Sequence, residues 1–289
     1  MGRFILTGSH QTKLSETVSQ SLAGRTSIHV LYPPSIAELA LQSESLSVDE
    51  LMLRGFMPEL YVRDIDPVEW YRNYVQTYME RDIRQMVNVK DLSTFGRFLV
   101  LLAGRAGQLL NVSELSREVG VSAPTVSGWI SILEASFLVV RLQPWFSNRG
   151  KRMVKTPKLY FTEIGLVSHL LGLETPQQVM RDPLRGSLFE NLVVAEALKQ
   201  RSNGGHAPNL WFMRTEDGFE IDLVRSSGRI IQPVEIKSSV TWRESLARNI
   251  RILTRDDSEH VVSPMIVYDG DDLDFSDGVI ARNVRTFQI

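Results

Sequence analysis

Phe219-Glu-Ile-Asp222-Leu-Val-Arg-Ser-Ser227-Gly228-Arg-Ile230-Ile-Gln-Pro-Val234-Glu235-Ile236-Lys237 reads as two strands folded about a Ser-Gly turn. Each arm is rich in aliphatic and β-branched residues, and Ser227-Gly228 is a hairpin-type connection. Side chains alternate between the two faces of a strand. In the first arm Glu220 and Asp222 therefore share one face and Ile221 and Leu223 the other. In the second arm Glu235 and Lys237 share a face while Val234 and Ile236 turn to the core. Two carboxylates converging from adjacent strands suit a hard divalent cation such as Mg²⁺. A lysine beside them can orient an attacking water or stabilise charge on a phosphate. The bland alternative is a row of solvent-facing charges on a sheet edge.

The surroundings extend this hairpin into an α/β unit over 184–289. Leu210–Arg214 is a third strand, joined to the first arm through Asp217-Gly218. A helix at Trp242–Leu253 and a strand at Pro264–Tyr268 follow. Ahead of the meander, Leu188 to Leu198 is a helix apolar almost all round and hence buried. Glu190 lies on its stripe with Val193, Val194 and Ala197, where a carboxylate is costly unless paired or metal-bound.

Residues 95–162 read as a winged helix-turn-helix. Asn111 or Ser113 caps a short helix that Gly120 ends, and Ser122-Ala123-Pro124 starts the next. Val126, Ile130 and Leu133 fall at helical spacing and face the core. Phe137–Leu142 and Lys158–Phe161 are the hairpin of the wing. Its tip falls in a run of cations, Arg141, Arg149, Lys151, Arg152, Lys155 and Lys158, with no acidic residue between them. The second helix offers Ser122, Thr125 and Ser127 but no Arg or Lys, so base reading is thin. DNA contact is expected through phosphates and the wing residues Arg149, Lys151, Arg152 and Lys155. Use of the same fold only for packing against a neighbour is the alternative.

Residues 1–60 read as α/β fragments and 61–94 as a helical connector. Phe4–Leu6 is a short buried-type strand, Leu14–Leu22 a helix and Ile28–Tyr32 a second strand. Pro33-Pro34 stops that strand, and Ser35 caps a helix to Leu41. Asp66-Pro67-Val68-Glu69 opens a long amphipathic helix bearing Tyr71, Tyr74, Val75, Tyr78, Ile83 and Met86. A buried strand directly after Met1 needs neighbours on both edges. The expectation is that elements preceding it are missing, and that a protein partner or self-association completes the sheet.

Composition narrows the classes. The 289 residues hold no cysteine, which excludes disulfides, thiol catalysis and Cys-type zinc sites. The five histidines are scattered without ligand spacing, and a net charge of −2 gives no global pull toward nucleic acid. No apolar run reaches the roughly 18 residues of a membrane span, and no signal peptide is visible. A soluble cytoplasmic protein without membrane contact is expected. The chain also lacks a phosphate-cradling G-x-x-x-x-G-K-[ST] loop.

The order Glu190, Asp222, Glu235-x-Lys237 resembles the PD-(D/E)XK nuclease superfamily, in which the matching residues bind metal and cut a phosphodiester. The proline of that motif is absent, since Ile221 precedes Asp222. A wider resemblance rests on Arg3-Phe-Ile-Leu-Thr-Gly-Ser9, Ser21-Leu-Ala-Gly-Arg25, Leu53-Arg-Gly-Phe-Met-Pro-Glu59 and Tyr78-Met-Glu-Arg-Asp82. It continues in Lys158-Leu-Tyr-Phe161, Gly186-Ser-Leu-Phe-Glu190, Glu220-Ile-Asp222 and Val234-Glu-Ile-Lys237. Together these resemble AAA-type P-loop ATPases that carry a winged helix and a nuclease-like domain behind the ATPase. The resemblance implies a multidomain α/β chain: an ATPase remnant at 1–60, a helical lid at 61–94, a winged helix at 95–162 and a restriction-endonuclease-like domain at 184–289. It implies Thr7, Ser9 and Arg25 as a nucleotide-sensing remnant, and ATP as a ligand only if a preceding phosphate-binding segment is supplied. It further implies DNA as partner and a Mg²⁺-dependent endonuclease, with Asp222 and Glu235 as metal ligands, Glu190 as a supporting carboxylate and Lys237 as the group that positions water or phosphate. A non-catalytic DNA- or protein-binding module, or an intact ATPase extending further upstream, are the alternatives.

Overall fold

A computed structural model describes residues 27, 29–40, 44–63, 65–78, 92–145 and 153–289. Thr7, Ser9 and Arg25 lie outside the described residues, as do the strand at Phe4–Leu6 and the helix at Leu14–Leu22. The strand expected at Ile28–Tyr32 does not form: residues 29–32 pair with no strand among the described residues, and Leu31 is 90% exposed. This stretch is tied to a helix instead, with the Ser202 hydroxyl donating to the Val30 carbonyl at 2.9 Å. Ser35 opens a helical turn as its side chain and that of Glu38 cap each other's backbone N–H.

Several helices begin where polar caps satisfy their free N–H groups. α1 (Val48–Arg54) carries a capping box of Ser47 and Glu50, and α2 (Glu59–Val62) follows. α3 (Pro67–Tyr78) starts at Asp66, whose carboxylate accepts from Glu69 N at 2.9 Å. Its expected extension past Ile83 and Met86 lies outside the described residues. α4 (Leu92–Ala103), α5 (Val112–Val119) and α6 (Ala123–Ala135) come next, α5 capped by Asn111 and α6 by Ser122. Gly120 ends α5 in the left-handed conformation, φ 81°, as its glycine implied. Phe95, Phe98 and Trp129 lock α4 onto α6 with ring centroids 5.2–5.5 Å apart.

Strands β1 (Val139–Pro144) and β2 (Lys158–Phe161) form the expected antiparallel hairpin. Helices α7 (Ile164–Leu170) and α8 (Pro176–Arg181) lead to the 19-residue α9 (Arg185–Asn203). The meander β3 (Leu210–Arg214), β4 (Glu220–Ser227) and β5 (Ile230–Lys237) is antiparallel, with Gly218 and Gly228 at positive φ in its turns. The helix expected over Trp242–Leu253 instead begins as a 3₁₀ turn, Glu244–Ala247, before α10 (Arg248–Asp256). β6 (Met265–Tyr268), β7 (Leu273–Asp274) and β8 (Ile280–Asn283) finish the chain.

The eight strands found among the described residues join one mixed sheet, in the order β2-β1-β3-β4-β5-β6-β8-β7. The junction is β1 beside β3, parallel, at Gln143–Trp211 and Pro144–Phe212. The hairpin β1–β2 thus extends the sheet of the C-terminal strands. α9 lies across it, burying Leu188, Phe189, Leu192, Val193, Val194, Ala197 and Leu198. Burial of apolar surface on that helix is the main attraction holding the layers together, at about 25 cal/mol per Å². Among the described residues, no helix is long and apolar enough to cross a membrane.

Candidate functional site

Strand alternation places Asp222 on β4 and Glu235 and Lys237 on β5 on one face, as the sequence implied. The Lys237 ammonium lies 3.1 Å from Asp222 Oδ2 and 2.7 Å from Glu235 Oε2, bridging the two strands. Ile236 N donates to the same Asp222 oxygen at 2.8 Å. Lys237 keeps about a third of its side chain exposed, whereas Glu235 is only 1% exposed and Asp222 9%. The site therefore opens to solvent through its lysine.

Burial first, and then the neighbouring Asp222, push the Glu235 carboxyl up to about 8. Burial also acts on Asp222, but Lys237 and then Lys158 outweigh it and hold this carboxyl below its ordinary value. The two shifts are opposed: the surroundings favour the protonated form of Glu235 and the charged form of Asp222. Glu235 Oε1 is buried with no hydrogen-bond partner. A buried oxygen without a partner is costly unless a proton on this carboxyl, directed to Asp222, or a cation relieves it.

Glu190 is brought to the same region but is not part of that pair. Its Oε1 accepts from Lys158 Nζ at 2.9 Å and from the Tyr160 hydroxyl at 2.6 Å. Lys158 also meets Glu220 Oε1 at 2.6 Å. Burial raises the Glu190 carboxyl, Lys158 opposes that rise and Asp222 adds to it, so Glu190 and Asp222 feel each other's charge. Two carboxylate pairs, each bridged by one lysine, therefore stand in one region of the fold.

Lys158 corrects the reading of the basic run. It is 3% exposed and doubly paired, not a solvated wing cation. Burial alone would pull its ammonium down, but Glu190 and Glu220 hold it above the ordinary lysine value. Arg141 of the same run is bound by Glu134 at 2.5 Å. Lys155 is exposed, and Arg149, Lys151 and Arg152 lie outside the described residues. Glu220, read only as Asp222's companion, is a member of the network.

The donor set can be tested against Mg²⁺. It offers oxygen ligands alone, one of them an orphaned buried atom, which suits a hard cation. Among the described residues no three acidic or histidine side chains gather about one point. Asp222 and Glu235 would thus hold such an ion as a pair with water completing its shell, the usual arrangement for Mg²⁺.

Comparison with known proteins adds two matches along the chain. Residues 185–287 match a domain of unknown function, DUF4143. Residues 45–177 match another, DUF8612. Uncharacterized proteins of Mycobacterium tuberculosis and Mycobacterium bovis are each 32% identical over 253 residues, covering 86% of this chain and 55% of theirs. An uncharacterized protein of Haemophilus influenzae is 28% identical over 211 residues, covering 68% of this chain and 51% of its own. The chain thus spans about half the length of the curated relatives it matches. No solved structure is significantly similar to it. The boundary between the two matched segments falls just before α9, so Lys158 and Tyr160 belong to one and Glu190, Glu220, Asp222, Glu235 and Lys237 to the other.

Proposed function

We propose that the chain binds DNA and cleaves its phosphodiester backbone in a Mg²⁺-dependent reaction at Asp222, Glu235 and Lys237. The observation that carries this reading is the buried carboxylate pair with an orphaned oxygen and a solvent-reaching lysine beside it. In this reading residues 95–162 act as a winged helix and residues 184–289 as a restriction-endonuclease-like domain. The residues before them descend from an AAA-type ATPase. DNA is held through phosphates, with Lys155 as an exposed cation at the mouth of the hairpin and Arg149, Lys151 and Arg152 as its companions in sequence.

The bound cation would polarise a phosphoryl oxygen and lower the pKa of a bound water. Asp222, ionised at neutral pH, supplies the first negative oxygen. Glu235 would supply the second once its proton is lost, which a rise in pH toward about 8 favours. Lys237 then exchanges its bridge between the two carboxylates for contact with water or phosphate, which its partial exposure permits. Glu190, held by Lys158 and Tyr160, contributes field rather than direct ligation.

The test is nicking of supercoiled DNA by the purified chain with Mg²⁺ or EDTA. Mg²⁺-dependent nicking that rises with pH to about 8, and that is abolished in Asp222→Asn and Lys237→Ala, supports the reading. Salt-sensitive DNA binding that survives Asp222→Asn, with no cleavage in any metal, would replace it by a non-catalytic module. One observation favours that second reading: in this structure each lysine already neutralises two carboxylates.

A further inference from the structure

We propose that Lys158, seated with Tyr160 on β2, is a positioning residue of the carboxylate site, so that the site is completed only when the β1–β2 hairpin is docked. The inference rests on the metal-binding reading of Asp222 and Glu235 given above, and adds to it a residue from outside the C-terminal segment. Lys158 lies between Glu190 of α9 and Glu220 of β4, at 2.9 and 2.6 Å, and sits 5.6 Å from the centre of the Phe212 ring on β3. One ammonium from β2 thereby fixes side chains on two other elements. Tyr160, two residues on and so on the same face, donates to the Glu190 oxygen that Lys158 also holds. The loop after α4 runs close to this cradle: a Cβ added at Gly107, φ +77°, would meet the Glu190 carboxyl and the Tyr160 ring at 3.6 Å.

The arrangement acts on the neighbouring pair through charge. Without Lys158, Glu190 would lose its cation and Glu220 would keep only the partly exposed Arg214, 3.2 Å away, so part of the negative charge beside the pair would go uncompensated. An ammonium that only filled space would need neither the two carboxylates nor the tyrosine at the same oxygen. Groups that orient and charge-balance metal-binding carboxylates from behind commonly change metal affinity by about 10–100-fold when removed.

Binding of Mn²⁺ alone, measured by titration calorimetry on the full chain at fixed pH, tests the inference without any cleavage readout. Wild type is expected to bind saturably, Lys158→Gln about tenfold or more weakly, and Lys158→Arg within a few-fold of wild type. Tyr160→Phe, which removes one hydroxyl and leaves the charge, is expected to weaken binding about tenfold and serves as the deciding variant if Lys158→Gln does not fold. Wild-type affinity in folded Lys158→Gln, or in Tyr160→Phe, would overturn the inference while leaving the metal site intact. Equal loss in Lys158→Gln and Lys158→Arg with no effect of Tyr160→Phe would reduce Lys158 to a structural part and also overturn it. Absence of Mn²⁺ binding by wild type would overturn both the inference and the reading beneath it.

Discussion

At the scale of single residues, Glu235 sets the pH behaviour of the site. Its carboxyl moves from an ordinary 4.5 to about 8 on folding, because burial and Asp222 both disfavour its charge. Between those values the folded chain holds a proton that the unfolded chain has released, so the contribution to stability is full below the lower value and lost as pH rises through the upper one. Chemical denaturation across that range is expected to show declining stability that Glu235→Gln removes. The amide keeps a donor toward Asp222 and an acceptor for Lys237, so the variant is expected to be the more stable protein above about pH 8. A wild-type profile matching that of Glu235→Gln would refute the assignment. Asp222, Glu235 and Lys237 were readable in the sequence because strand alternation fixes their face whatever the rest of the chain does. Lys158 was not, because its partner Glu190 lies 32 residues away and it closes a run in which every charged residue is a cation. Period-two spacing with respect to Tyr160 and Thr162 was the only local hint, and it does not identify a partner.

At the scale of elements, α9 and β2 are stitched at adjoining positions. Glu190 bonds Lys158 and Tyr160, and Asn191 bonds the backbone of Phe161 on both sides, its oxygen accepting from N at 2.8 Å and its amide donating to O at 2.9 Å. Asn191 thus does for the outer strand what another strand would do. Asn191→Leu leaves a buried N–H and C=O unpaired, each costing about 1–3 kcal/mol, and a matching drop in the urea midpoint stability is expected. Gly55 shows a similar dependence: at φ +68° a Cβ would overlap Glu163 Oε1 and the Tyr71 hydroxyl. Gly55→Ala is expected to lose about 2 kcal/mol or more by the same measurement, from overpacking and an unfavourable backbone angle. Helices and strands with strong local signals were legible, as with Asp217-Gly218, Ser227-Gly228, Asn111 and Ser122. α8 carries a local start signal of its own, since Thr175 and Gln178 form its capping box. β7 and β8 carry little local signal because they are short, hold charged residues and are specified by pairing, β8 with β6 and β7 with β8. The strand expected at Ile28–Tyr32 failed for the converse reason, apolar residues without a partner strand among the described residues.

At the scale of the whole molecule, the β1–β3 junction makes one sheet out of two segments that read as separate in the sequence. Composition and local pattern gave the mixed α/β class, but a parallel pairing of two residues across a long connection leaves no local trace. A fragment of residues 185–289 would expose the edge of β3 and leave Glu190 and Glu220 without Lys158. It is expected to be aggregation-prone, whereas residues 92–289 are expected to stay soluble; light scattering on the two fragments distinguishes them. The central claim is that Asp222 and Glu235 share a proton in a buried pair that a divalent cation can replace. Calorimetric titration of the full chain with Mn²⁺ at pH 7, in buffers of differing ionisation enthalpy, measures that replacement directly. The account requires release of about one proton per ion bound in wild type and none in Glu235→Gln. Binding without proton release, or no binding at all, would contradict it.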